Sequence, residues 1–205
     1  MKNNFIKKIA WVLLGSALLI SCHEHYSERA TFYPVDSLVM AQINYLSSVH
    51  ATLYKESALN AQLDTSRYSP ADSMQWIKEL DIFRQLEVIN KPINRDSYLV
   101  NDGETDPGSN LTIKTFTRKE KEELPVVYLK VYYQHSIRQP RKIEALFDEE
   151  NALYKSARVL SMDFHPINNK TVLTSYSITG GQKMILRDSV DFSIRGKITV
   201  GGRLN

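Results

Sequence analysis

The 205-residue chain has a single cysteine, Cys22, so no disulfide can form within it and its stability has to come from burial. Glycine is scarce, at 8 residues, and Gly180-Gly181 is not followed by the Lys-Ser/Thr that a phosphate-cradling loop needs. No serine sits in a G-x-S-x-G turn; Ser109 follows Gly108 inside an acidic loop. No two histidines share a helix at a spacing of four, which removes a zincin-like metal pair. No apolar run reaches the ~20 residues of a membrane-spanning helix. An excess of basic charge is missing too, despite a formal net charge of +3. Lys2, Lys7 and Lys8 precede Cys22, and from Cys22 onward 23 Lys and Arg face 23 Asp and Glu. Arg138 to Lys142 is only a short cluster beside Pro140. Holding a polyphosphate backbone requires a surplus of cations that displaces counterions, so nucleic acid is excluded as a partner.

What is present begins at the N-terminus. The three lysines, with no acid among the first twenty-one residues, lead into an apolar core from Ile9 to Ile20. That core is within the ~7–15 residues of a signal-peptide core. It closes on Leu19-Ile20-Ser21-Cys22. Leucine three residues before a cysteine, with a small residue directly before it, resembles the lipobox of bacterial lipoproteins. The triplets Ala17-Leu18-Leu19 and Leu19-Ile20-Ser21 fit an ordinary small-x-small cleavage site badly. The resemblance covers residues 1 to 22. It implies removal of residues 1–21, a diacylglyceryl thioether on Cys22, and an acyl chain such as palmitate on the freed amine. Each buried methylene contributes ~0.8 kcal/mol, so two or three chains hold a protein on a bilayer where one barely does. His23 replaces the aspartate that retains such proteins at the inner membrane, which implies the outer membrane. Glu24 and Glu28 are too few acids to decide between its periplasmic and surface faces.

Residues 22–34 read as a tether and 35–205 as one domain of usual size. Leu38, Val39, Ile43, Leu46, Val49 and Leu53 recur at three and four residues, predicting a helix from Val35 to about Asn60 with Asp36 as N-cap. Ser69-Pro70-Ala71-Asp72 starts a second helix that faces Trp76, Ile77, Leu80, Phe83 and Leu86 inward and ends before Pro92. A short polar loop is expected between the two. The period then becomes two. Strands are expected at 98–101, 111–117, 126–133, 142–147, 152–164, 171–179, 182–187 and 190–200, with hairpin turns at 148–151 and at Gly180-Gly181. Short turns make neighbours antiparallel. The expectation is an α+β domain: two N-terminal amphipathic helices on an antiparallel meander of six or seven strands, with a strongly curved variant forming a half-barrel.

Candidate chemistry is sparse. His23-Glu24-His25 lies in the tether, where no scaffold fixes ligand geometry. Asp102, Glu104 and Asp106 alternate like the start of a calcium loop, but Pro107 stands where glycine is needed and Ile113 where the closing glutamate belongs. They are a weak metal candidate. Asp163 and His165 share one side of a strand, which reads as structural. Tyr128, Tyr132, Tyr154 and Tyr176 pair an apolar ring with a hydroxyl and are candidates for the wall of a ligand groove. No catalytic set and no cofactor site emerges. The expected function is a lipid-anchored, non-enzymatic binding or scaffold protein whose partner is an envelope protein or an apolar ligand. The alternatives are a carrier with an apolar pocket between curved sheet and helices, similar in coarse architecture to the lipoprotein-carrier family, and a hydrolase with a dispersed site.

Overall fold

The computed structural model describes residues 33–60, 62–185 and 188–201. Leu19, Ile20, Ser21 and Cys22, and the tether as far as residue 32, lie outside the described residues. Tyr33, expected in the tether, belongs to the domain. It is buried, and its backbone exchanges hydrogen bonds with the Asn90 amide.

Helix α1 spans Val35–Ser48 and buries Val35, Val39, Ile43 and Leu46, the face its spacing predicts. Asp36 does not cap it. Its amide donates to the Glu87 carboxylate at 3.0 Å, so an acid from elsewhere in the chain stands at the positive helix end. The Asp36 carboxylate instead takes a bond from Arg84 Nε at 2.6 Å. The helix stops well short of Asn60, and His50 turns the chain with φ 47°. The predicted continuation is a correction: Thr52–Leu59 (β1) and Gln62–Tyr68 (β2) form an antiparallel hairpin. Leu53 prolongs the helical spacing by coincidence; it is buried from a strand.

Helix α2 spans Ser73–Arg84. Its cap is Asp72, whose carboxylate accepts from the Gln75 amide at 2.9 Å, rather than Ser69. The Gln75 side chain returns a bond from the Ala71 amide, a reciprocal closure of the first turn. Trp76, Leu80 and Phe83 are buried as their spacing predicts. Two 3-10 turns, Gln85–Asn90 and Pro92–Ser97, follow, with Lys91 extended before Pro92.

Seven strands then run as a meander: Tyr98–Thr105 (β3), Thr112–Arg118 (β4), Val126–Tyr133 (β5), Pro140–Glu150 (β6), Tyr154–Ile167 (β7), Lys170–Met184 (β8) and Val190–Thr199 (β9). The β1–β2 hairpin adds to the far side of β9, giving one nine-stranded antiparallel sheet in the order β2-β1-β9-β8-β7-β6-β5-β4-β3. The sheet is open, with β2 and β3 at its edges. The α+β class holds, while nine strands replace the six or seven expected. Gly180-Gly181 is a second correction, for it lies inside β8 and not in a turn. A Cβ on Gly180 would stand 2.2 Å from the Ala157 carbonyl oxygen, so this glycine permits close approach of β7 rather than a reversal.

Both helices and one face of the sheet share a single hydrophobic core. Trp76, Phe83, Phe116, Phe164 and Tyr176 are its largest buried side chains. Between β7 and β8 the register slips: Asp163 pairs with Ser175 and Phe164 with Leu173, leaving Thr174 as the extra residue of a bulge. Here β8 has passed the end of its pairing with β9, which begins at Ser175. Gln42 of α1 supplies the missing partner. Its side chain donates to the Thr171 carbonyl at 3.0 Å and accepts from the Leu173 amide at 2.8 Å, substituting for a strand.

Candidate functional site

Alternation along the strands sends side chains to a helix side and an open side, and register decides which residues meet. On the helix side Lys55, Gly196 and Tyr176 form one row across β1, β9 and β8. Gly196 has no side chain because the Tyr176 ring lies over it; a Cβ would be 2.2 Å from Tyr176 Cε1. Lys55 and Tyr176 thereby converge from either flank on Glu79 of α2. The Glu79 carboxylate accepts from Lys55 Nζ at 2.7 Å, Tyr68 Oη at 2.6 Å and Tyr176 Oη at 3.1 Å. Burial alone would raise its pKa, but the bonds from Lys55, Tyr68 and Tyr176 outweigh that and hold the carboxyl below its ordinary value. The Tyr176 and Tyr68 phenols are pushed up, by burial first and by the Glu79 charge and hydrogen bond after it. Tyr176 also meets Phe83 edge-on at 5.8 Å between ring centroids. Three donors around one largely covered carboxylate make a clamp that fixes α2 to the sheet.

The open side carries a cleft of about 610 Å³ over β1, β9, β8 and β7. Its origin lies in side-chain length. β8 presents Ser175 and Ser177 there, between the longer Asp163 and His165 on β7 and Arg195 and Lys197 on β9, with Tyr54 and Glu56 on β1 beyond β9. Register sets the rows: Tyr54, Lys197, Ser175, Asp163 in one, and Glu56, Arg195, Ser177 in the next. Ser175 Oγ donates to Asp163 Oδ2 at 3.0 Å, and Tyr54 Oη donates to Glu56 Oε1 at 3.1 Å. In a Ser-His-Asp arrangement an imidazole takes the serine proton; Ser175 instead donates to the Asp163 carboxylate, which fixes the direction of its hydroxyl. Asp163 and His165 do share a face, and that face is the cleft wall.

The remaining candidates fall elsewhere. Tyr128 and Tyr132 lie on the open side of β5, which β6 separates from the β7 side of the cleft. Tyr128 Oη donates to Glu144 at 3.3 Å, and Lys142 Nζ binds Glu144 at 2.7 Å while standing 5.3 Å from the Tyr132 ring centre. Tyr176 points to the opposite side, into the core, and Tyr154 is at the distant start of β7 opposite Met184. The four tyrosines therefore do not line one groove. Asp102 is occupied by Lys114 Nζ at 3.0 Å and Tyr133 Oη at 2.8 Å, Glu104 continues the strand past a bulge, and Asp106 closes a turn with Ser109. Among the described residues no group of three or more His, Cys, Asp or Glu converges as metal ligands. Two smaller clefts stand at the sheet ends. One of about 250 Å³ lies at Gln134, His135, Arg141 and Lys170, and one of about 520 Å³ lies at Leu59, Leu63, Phe192 and Ile194.

The Glu79 clamp and the cleft were both missed from sequence. For the clamp the signal was Gly196 within a strand pattern, since an isolated strand glycine marks close approach of another group; for the cleft it was the alternation that puts Asp163 and His165 on one face. Compared with protein-family models, curated proteins and solved structures, the chain matches none. Function has to be argued from this geometry alone.

Proposed function

We propose that the chain is a lipid-anchored protein of the bacterial cell envelope, held at the outer membrane through Cys22, whose domain is a non-enzymatic binding module working through the open side of its sheet. One observation carries this reading. The space between helices and sheet is filled by Trp76, Phe83, Phe116, Phe164 and Tyr176, whereas the opposite face offers an open cleft bordered by Glu56, Asp163, Arg195 and Lys197. A carrier of acyl chains would need apolar room where those side chains stand. The half-barrel shape belongs to the same proposal. Eight steps of about 4.8 Å make a flat nine-stranded sheet about 38 Å wide, and two packed helices cover about 20 Å. Yet one core takes residues from both helices and from strands as far apart as β1 and β3. A sheet curled round the helices brings both edges within reach.

Anchoring raises local concentration, so weak contacts at the cleft become effective at the membrane. Fractionation tests the anchor: Cys22→Ala should move the protein to the soluble fraction, and its retention in membranes would refute lipidation. A photo-reactive amino acid at Ser177 tests the binding face. Adducts should form in cells from position 177 and not from the exposed position Lys119; the absence of any adduct from 177 would overturn the cleft as the binding face.

A further inference from the structure

We infer that the open-side cleft takes a saccharide bearing a single carboxylate, an assignment that rests on the binding-module reading above. The first ground is what the cleft offers. Apart from the bulge at Thr174, the backbones of β1, β9, β8 and β7 are paired with one another along the cleft, so a ligand on this face meets chiefly side chains. A peptide held by strand pairing needs a free edge, which this face does not have. Glu56, Asp163, Arg195 and Lys197 bring charge to the cleft lining, and Thr174, Ser175 and Ser177 bring hydroxyls. Sugar hydroxyls are matched by donors and acceptors presented in fixed rows: Ser175, Ser177, Asp163 and, beyond β9, the Tyr54 ring and hydroxyl.

The second ground is the distribution of charge. Arg195 and Lys197 stand two residues apart on the β9 wall, both exposed, and neither takes part in any of the ion pairs among the described residues. The Glu56 and Asp163 carboxylates hold hydroxyls instead of these cations. One wall is therefore an acid receptor, while the acids on the flanking strands accept hydroxyls and repel further negative charge. A ligand with one carboxylate among many hydroxyls complements this pattern; a phosphate or a polyanion would meet Glu56 and Asp163. Arg195 can bind a carboxylate in two-pronged fashion, with Lys197 adding a point charge. The volume of about 610 Å³ suits a small oligosaccharide unit.

The test uses the full chain in mild detergent, titrated calorimetrically with cellobiouronic acid and with cellobiose, which differ only in a carboxylate against a hydroxymethyl group. The uronic acid should bind about tenfold more tightly, the effect of one charge-assisted contact. Arg195→Gln with Lys197→Gln should abolish that difference. Lys91→Gln with Lys121→Gln, the same charge change away from the cleft, should alter neither. Equal affinity of the native protein for both sugars, or competition by inorganic phosphate at the same concentration as the uronic acid, would overturn the assignment. Failure to bind either sugar while adducts still form at Ser177 would sink the ligand class and spare the binding face; loss of both would end both readings.

Discussion

Gly196→Ala probes the packing of the domain where the Tyr176 ring crosses β9. The added methyl would lie 2.2 Å from Cε1 and 2.4 Å from Cζ of Tyr176, a ring that is almost wholly buried. The backbone of β9 is tied to β1 and β8 on both sides, so the ring has to give way. Overpacking of this kind costs about 1–3 kcal/mol. A displaced Tyr176 also loses its bond to the Glu79 carboxylate, worth about 1.5–3 kcal/mol for a charged acceptor. The sum is about 2.5–6 kcal/mol, which for a domain this size lowers Tm by roughly 5–25 °C. Urea unfolding should show the midpoint falling with an unchanged slope. The cycle with Tyr176→Leu isolates the cause. With the ring gone, Gly196→Ala should cost less than about 1 kcal/mol, a coupling expected only of residues in contact. A single variant within about 0.5 kcal/mol of native, the usual range for surface changes, or the same loss in both backgrounds, would refute the reasoning.

Glu79→Gln should destabilise the domain at pH 7 by about 2–4 kcal/mol, at the lower end for a broken buried pair because Lys55 keeps some water. The folded Glu79 carboxyl lies below its ordinary 4.5, so its stabilisation is complete above that value and lost as pH falls through the folded one. Unfolding measured from pH 7 downward should therefore narrow the gap between native and variant; a gap independent of pH would contradict the clamp. Gln42→Leu leaves the Leu173 amide and Thr171 carbonyl without their partner, a loss of about 1–3 kcal/mol, and hydrogen exchange at Leu173 should accelerate while Ile178 stays protected. Asp72→Ala removes the α2 cap for about 1 kcal/mol, read as a drop in the urea midpoint; no change would mean that Gln75 suffices alone.

Elements with strong local chemistry were legible without coordinates. The inner faces of α1 and α2, the break at Pro92, and the strands from β4 to β7 follow from spacing and turn residues. The β1–β2 hairpin was not, because Leu46, Val49 and Leu53 keep a helical interval across the point where His50 turns the chain. Gly180-Gly181 was ambiguous in principle: glycine serves tight turns and close strand contacts alike, and only the Ala157 carbonyl beside it decides. The candidate site depended on register. Tyr128 and Tyr132 were found on one face by alternation within a single strand, whereas Tyr176 lies on the other side of the sheet, and no sequence pattern fixes how β8 aligns with β5. Tyr54, Arg195 and Lys197 meet only because the N-terminal hairpin adds to β9, a pairing between the two ends of the domain.

The proposed lipidation of Cys22 has a direct chemical test. Intact-mass spectrometry of the protein extracted from native membranes should show a chain beginning at Cys22 and heavier than its sequence by a diacylglyceryl group and an acyl chain. A polypeptide that retains Met1, or one that carries Cys22 as a free thiol, would contradict it.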